Sequence, residues 1–218
     1  MLLVRHGETQ ANLDGIYHGR LDSPLTRRGR EQALRIGWHI ASMAGAARFR
    51  IVASPQPRAV QTAQIIADCL GSAIADILLD DRLREVSIGA WEGLSHAEIE
   101  KLEPGTFDND GRHDWFFRAP GGEPYESFSA RVADWLREFS ATPSRVVVTH
   151  GIVGRVLRGI HAGLPRLEAL ALPIPQDRIF RLSDGAIEEI LIETNDTAVR
   201  PALAEANGVQ WAIGQCSA

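Results

Sequence analysis

This sequence has few cysteines, no long apolar runs and no excess of positive charge. Among 218 residues only Cys69 and Cys216 are cysteines. One falls inside an expected helix and the other at the end of the chain, so they read as free thiols in a reducing compartment. The apolar start at Met1–Val4 is cut by Arg5, too short for a signal-peptide core. No apolar run approaches the ~20 residues that cross a bilayer. A cytoplasmic protein with no membrane partner is the expectation. The formal net charge of −5 argues against a nucleic-acid partner, which calls for a basic excess. It leaves room for a small anionic substrate, because a few arginines converging in a cleft make a local positive field. Neither a Walker-type phosphate loop nor a dinucleotide fingerprint occurs. His113-Asp114, near Asp108 and Asp110, fits no standard metal-ligand spacing. No cofactor and no metal are expected.

With 44% hydrophobic and 23% charged residues, the composition is that of an ordinary globular protein. The length predicts a single domain over 1–218. Leu2-Leu3-Val4 reads as a buried strand. Thr26 offers an N-cap, and Ala33, Ile36, Ile40 and Met43 recur at helical spacing to about Ala44. Arg50–Ser54 reads as a second strand, and Pro57 opens a helix that Gly71 stops. Ile77–Leu79 reads as a third strand, and Ser95-His96-Ala97-Glu98 has the form of a capping box. The stretch at about 94–124 is expected to form an insertion or lid, since its Trp115-Phe116-Phe117 cluster is unlike a linker. Phe128, Val132, Trp135, Leu136 and Phe139 mark an amphipathic helix. Arg145–Thr149 is a strand followed by a helix from about Ile152. Asp184-Gly185 between two apolar runs predicts a hairpin. From about 194 the tail shows no period. Strands alternating with helices predict an α/β fold, a three-layer α/β/α sandwich with a mainly parallel sheet and antiparallel pairing at one edge.

Open α/β sheets bind ligands beyond the carboxyl ends of their strands. Arg5-His6-Gly7-Glu8-Thr9 follows the first strand, Ser54-Pro55-Gln56-Pro57-Arg58 the second, Leu83-Arg84-Glu85 the third, and His150-Gly151 the Val-rich strand. Two histidines, two arginines and a glutamate therefore converge on one rim. Arginine presents a permanently charged fork of donors to phosphoryl oxygens. A neutral imidazole can attack phosphorus.

Leu3-Val4-Arg5-His6-Gly7-Glu8-Thr9 resembles the signature of the histidine phosphatase superfamily, which includes the cofactor-dependent phosphoglycerate mutases. Further segments resemble that family in order: Asn12, Gly19, Asp22, Pro24-Leu25-Thr26 and Gly29; Ser54-Pro55 through Arg58-Ala59 and Gln61-Thr62-Ala63; Glu85, Gly89 and Trp91-Glu92-Gly93; Pro120–Glu123; and Thr149-His150-Gly151. The resemblance implies a phosphoglycerate mutase-like fold and a metal-independent reaction with His6 as nucleophile. Arg5, Arg58 and His150 would hold the phosphoryl group, Glu85 would act as general acid, and Asn12 and Gly151 would complete the substrate-binding set. One branch of the family places an aspartate directly after the second histidine as proton donor. Gly151 stands there, so the role falls to Glu85, with Glu92 as its rival nearby. Asn12 divides evenly between ligand contact and helix capping.

The leading expectation is a phosphomonoester hydrolase acting on a small phosphorylated metabolite. A cofactor-dependent phosphoglycerate mutase is the first alternative and a non-catalytic phospho-ligand-binding module the second. The stretch 86–149 carries no Arg-Arg pair to grip a substrate carboxylate, which disfavours the mutase. His18, His39, His96, His113 and His161 have no evident partners in sequence, and His39 and His161 read as structural. Trp115–Phe117 reads as packing before pocket lining. A homodimer is left open.

Overall fold

The computed structural model describes residues 1–43, 45, 49–108, 113–139 and 144–192. Its elements are β1 (Leu2–Arg5), α1 (Gln10–Leu13), β2 (Ile16–Tyr17), α2 (Arg27–Ser42), β3 (Arg50–Ala53), α3 (Pro57–Cys69), β4 (Leu78–Leu79), β5 (Leu94–Ser95), α4 (His96–Leu102), α5 (Tyr125–Phe139), β6 (Arg145–Thr149), α6 (Gly151–His161), α7 (Arg166–Ala171), β7 (Arg178–Ser183) and β8 (Ala186–Leu191). The expected tail, Cys216, Asp110 and Arg112 lie outside the described residues.

Six strands form one sheet in the order β4-β3-β6-β1-β7-β8. The pairings β1–β6, β6–β3 and β3–β4 are parallel, while β7 runs antiparallel to β1 and β8 to β7. The sandwich and its antiparallel edge are thus as expected. At the hairpin, Asp184 and Gly185 take φ of 50° and 76°. Two left-handed residues make the turn whose twist matches the flanking strands. The ribbon of β2 and β5 was not expected, because two residues per strand carry no readable period.

The period-2 alternation of the strands sorts side chains into two cores. Leu2, Val4, Ile51, Ala53, Val146 and Val148 pack with Ile36, Ile40, Ala63 and Ile66 of α2 and α3. Leu3, Val52 and Val147 face the other way, onto Phe128, Val132 and Trp135 of α5 and Val153, Val156 and Leu157 of α6. Each fully buried large side chain contributes roughly 1.5–3 kcal/mol.

Local signals act where the sequence places them. Thr26 caps α2 by accepting from the Gly29 N–H at 3.0 Å. Pro57 opens α3. Gly71, at φ 64°, ends it, with the Ser72 N–H bonded back to the Ala67 carbonyl. Ser95 and Glu98 complete a capping box on α4. In the stretch 94–124, Phe116 is buried and packs on the same core as Phe128 and Trp135. Trp115 meets the Tyr17 and Phe107 rings at 4.7 and 4.9 Å. His96 has a partner after all: it stacks on Phe107 at 3.7 Å. Sequence spacing hides that contact because it joins α4 to the loop beyond it. Among the described residues no helix is long and apolar enough to cross a membrane.

Candidate active site

Parallel pairing of β1, β6 and β3 brings their carboxyl ends to one edge, with Arg5 opposite Thr149 and Ala53 opposite Val148. The next residues, His6, His150 and Ser54, emerge side by side. The His6 N–H donates to the Thr149 carbonyl at 2.9 Å and the Ser54 N–H to the Val148 carbonyl at 3.0 Å, carrying the ladder past the strand ends. The turn after β1 is pressed onto the start of α2. A Cβ on Gly7 would sit 2.2 Å from the Gly29 carbonyl oxygen, and one on Gly29 only 2.0 Å from that of Glu8. Only glycine permits this approach, and it fixes where His6 points.

His6 is 2% exposed. Its Nδ1 lies 2.8 Å from the Gly7 carbonyl oxygen, an acceptor, so Nδ1 carries the proton. Its Nε2 lies 3.3 Å from Arg58 Nε, a donor, so Nε2 keeps its lone pair. Burial first, then the Arg58 and Arg5 guanidiniums, hold the His6 pKa well below the usual histidine value. The neutral ring is therefore the resting form.

Arg58, on the first turn of α3, is 1% exposed. It also donates through Nη1 to the Leu21 carbonyl at 2.8 Å and through Nη2 to the Gly19 carbonyl at 2.7 Å. Arg5 donates through Nη1 to the Ile174 carbonyl. Burial lowers both guanidiniums to about 10, opposed by Glu85, so both stay charged near neutrality.

Glu85 is held at both ends. Its N–H donates to Gln56 Oε1 at 2.6 Å. Its carboxyl accepts from the N–H groups of Val86, Ile152 and Val153 at 3.0, 3.0 and 3.3 Å. The last two are free donors at the start of α6, so Glu85 also serves as that helix's acidic cap. Arg131 donates to the Glu85 carbonyl at 3.4 Å while paired to Glu123 at 2.7 Å. Glu92, the sequence rival, is engaged elsewhere: its Oε1 accepts from Arg20 N–H, Ser87 hydroxyl and Ile88 N–H.

His150 Nε2 lies 2.7 Å from Ser54 Oγ. Ser54 is buried, and among the described residues His150 Nε2 is the acceptor within reach of its hydroxyl, which assigns the Ser54 proton to that bond and the His150 proton to Nδ1. That Nδ1 and Arg5 Nε are buried with no hydrogen-bond partner. Two uncommitted donors beside a neutral imidazole suit a tetrahedral oxyanion. Burial, then Arg58, keeps the His150 pKa well below the histidine norm.

Arg5, His6, Asn12, Arg58, Glu85 and Gly151 all line one cavity of about 350 Å³; His150 is buried beside it, its ring centroid 5.2 Å from that of His6. Of the two duties expected of Asn12, the structure shows the helix-capping one. Its Oδ1 accepts from the Thr9 N–H, completing a capping box on α1, and from Gln176 Nε2, while the residue lines the cavity. His18 corrects the sequence expectation that it lacks partners. It lines the cavity with its ring 6.2 Å from His6; burial and Arg58 lower its pKa to about 4. Trp115 and Phe116 line the wall as well as packing the core. Sequence reasoning missed Arg155, which lines the cavity, and Gln176, whose amide bridges Asn12 and the His6 carbonyl at 3.1 Å. Gln176 gave no signal, but Arg155 stands one helical turn beyond Gly151 and could have been found by that spacing. Among the described residues no three His, Cys, Asp or Glu side chains gather as a metal site.

Residues 1–206 match the family model described as Histidine phosphatase superfamily (branch 1). The chain belongs to that superfamily. A probable phosphoglycerate mutase GpmB of Salmonella paratyphi C is 37% identical over 168 residues, covering 75% of this chain and 74% of that protein. Among solved structures, mycobacterial glucosyl-3-phosphoglycerate phosphatase in complex with VO3 superposes with a TM-score of 0.71 at 29% identity, covering 88% of this chain and 96% of that one. A putative α-ribazole-5'-P phosphatase from Escherichia coli superposes with a TM-score of 0.71 at 25% identity over 88% and 95%. The superfamily fold and the relatives agree on an enzyme of phosphorylated small molecules. Phosphatase and mutase relatives are both represented.

Proposed function

We propose that the chain is a phosphomonoesterase that works through a phosphohistidine at His6 Nε2. The observation that carries this reading is the division of labour on the His6 ring. Nδ1 is committed to the Gly7 carbonyl, and Nε2 keeps a lone pair beside two guanidiniums and His150. Nε2 attacks phosphorus as the ester P–O bond breaks. Arg5, Arg58 and His150 Nδ1 take the charge on the non-bridging oxygens. Glu85 gives its proton to the leaving oxygen. Water then attacks phosphorus, Glu85 takes a proton from it, and the N–P bond breaks to return the lone pair to Nε2. Asn12 and Gly151 form the near wall of the phosphoryl subsite.

The mutase reading needs a firm grip on the rest of the substrate. The cations of the stretch 94–144 give no such grip among the described residues: Arg118 is spent on the Thr106 carbonyl and Arg131 on Glu123. The test is a turnover screen across phosphomonoesters that follows both phosphate release and acid-labile, alkali-stable protein phosphate. Burst formation of that adduct with ongoing phosphate release supports the reading. Turnover with no adduct counts against it.

A further inference from the structure

Three arginines line the cavity, Arg5, Arg58 and Arg155, and Glu85 is the one carboxylate among its lining residues. Arg155 is half-buried on α6. Its Nε donates to the Leu172 carbonyl, which fixes the guanidinium against the end of α7. Among the described residues its Nη groups have no hydrogen bond and no carboxylate within ion-pair distance. Its neighbour Arg158 shows the contrast. That guanidinium donates to the Gly154 and Pro173 carbonyls and lies over the Phe180 ring at 4.0 Å, so it is a structural cation.

We propose that Arg155 is a specificity-determining residue that binds a second anionic group of the substrate, a carboxylate or a second phosphate. The inference rests on the phosphomonoesterase reading for where the first phosphate sits. The unused donors motivate it. Arg5 and Arg58 flank His6 where the phosphoryl group sits, and the one lining carboxylate, Glu85, is held by three backbone N–H groups. Glu85 acts on Arg155 only through space, so the Arg155 Nη groups keep donors for an anion in the cavity. The geometry sets the spacing. A Cβ at Gly151 would lie 3.7 Å from Arg5 Nε, so Gly151 adjoins the phosphoryl cradle. Arg155 is one turn further along the same helix face, roughly 5–6 Å away. That distance suits an acid group a few bonds from the ester oxygen, as in a small phosphorylated hydroxy acid. The Nη pair can grip a carboxylate in the forked, two-bond manner that lysine cannot copy.

Two matched pairs test the proposal: 3-phosphoglycerate against glycerol 3-phosphate, and 1,3-propanediol bisphosphate against 3-hydroxypropyl phosphate. Turnover is measured on the wild-type protein and on Arg155→Gln and Arg155→Lys. Binding is measured by calorimetry on His6→Ala, with and without Arg155→Gln. The expected result is a preference of about 10- to 100-fold for the anionic member of at least one pair, expressed in KM and in the calorimetric Kd. Arg155→Gln brings that ratio close to one, and Arg155→Lys restores part of it. The carboxylate and bisphosphate pairs tell the two anion classes apart. Ratios near one in the wild-type protein, or ratios untouched by Arg155→Gln, overturn the proposal. So does an equal loss on both members of a pair, which would mean that Arg155 acts only by propping Arg5 and Glu85. If no ester is turned over yet the binding ratio holds, the phosphomonoesterase reading fails and the Arg155 subsite stands.

Discussion

Arg58 Nε approaches His6 Nε2 to 3.3 Å. Since a guanidinium only donates, this contact leaves Nε2 as the unprotonated nitrogen of His6, the one the proposed mechanism uses as nucleophile. The first prediction follows from that. His6→Ala loses turnover by on the order of 10⁴-fold or more and forms no acid-labile phosphate adduct, while vanadate or phosphate still binds through Arg5 and Arg58. Retained turnover at the wild-type rate would end the phosphohistidine mechanism.

Two duties of Glu85 need separating, its capping of α6 and its proposed role as proton donor. Glu85→Gln keeps an acceptor oxygen for the helix but has no acid proton. A poor alkoxide leaving group needs protonation far more than an activated aryl oxide does. The rate on an alkyl phosphate should drop by about 10²- to 10⁴-fold, and on p-nitrophenyl phosphate by much less. An equal loss on both esters would reduce Glu85 to its capping duty.

The buried histidines make stability pH-dependent with a definite sign. His6 and His150 have native pKa values well below those of the unfolded chain, with burial the largest cause. Below about pH 6.5, the unfolded chain binds protons that the native state refuses. Their stabilising effect is therefore complete above that pH and is lost as pH falls, at about 1.4 kcal/mol per pH unit for each ring. His18, lowered to about 4, adds a smaller, solvent-screened share between the unfolded value and that pH. Urea denaturation at about pH 7 and about pH 5.5 reads the slope, which should be shallower in His18→Gln. Stability that stays level on acidification would contradict the buried, neutral state of these rings.

How far this site is legible in sequence depends on the kind of contact. His6, Arg58, Glu85 and His150 follow strand ends, so the topology of a parallel sheet brings them together once the strands are found. The capping boxes at Thr9 and Ser95 and the Asp184-Gly185 turn are local rules and could be read directly. Contacts between distant segments could not. Gln176 reaches His6 and Asn12 from the far end of the chain. His18 joins the site because Gly19 accepts from Arg58 and Gln56, a bond with no sequence period. Arg155 lies outside the stretch 86–149 that separates Glu85 from His150, on the helix that follows, and only the folded α6 turns it toward the cavity.

A fourth prediction concerns metals. In the proposed mechanism the Arg5 and Arg58 guanidiniums supply the positive field that a bound divalent ion supplies in other phosphatases, and neutral His150 adds a hydrogen-bond donor. Prolonged treatment with a chelator, followed by desalting, should leave the rate on p-nitrophenyl phosphate unchanged. A lost rate that returns on adding a divalent ion would show that this shell is insufficient.

The last prediction separates hydrolysis from isomerisation. A mutase must keep its dephosphorylated intermediate in the cavity, turn it so that a second oxygen faces phosphorus, and exclude water meanwhile. Turning requires two sets of donors, one for each orientation of the acid group. In the stretch 94–144, Arg118 and Arg131 are committed to Thr106 and Glu123, which leaves Arg155 on one side of the cavity as the free cation among the described lining residues. One grip holds one orientation. With 3-phosphoglycerate and a bisphosphoglycerate primer, free phosphate should therefore accumulate well ahead of 2-phosphoglycerate when both are followed in the same reaction. Fast isomerisation with little phosphate release would reverse the assignment to mutase. It would leave the His6 chemistry intact and require a second anchor for the acid group.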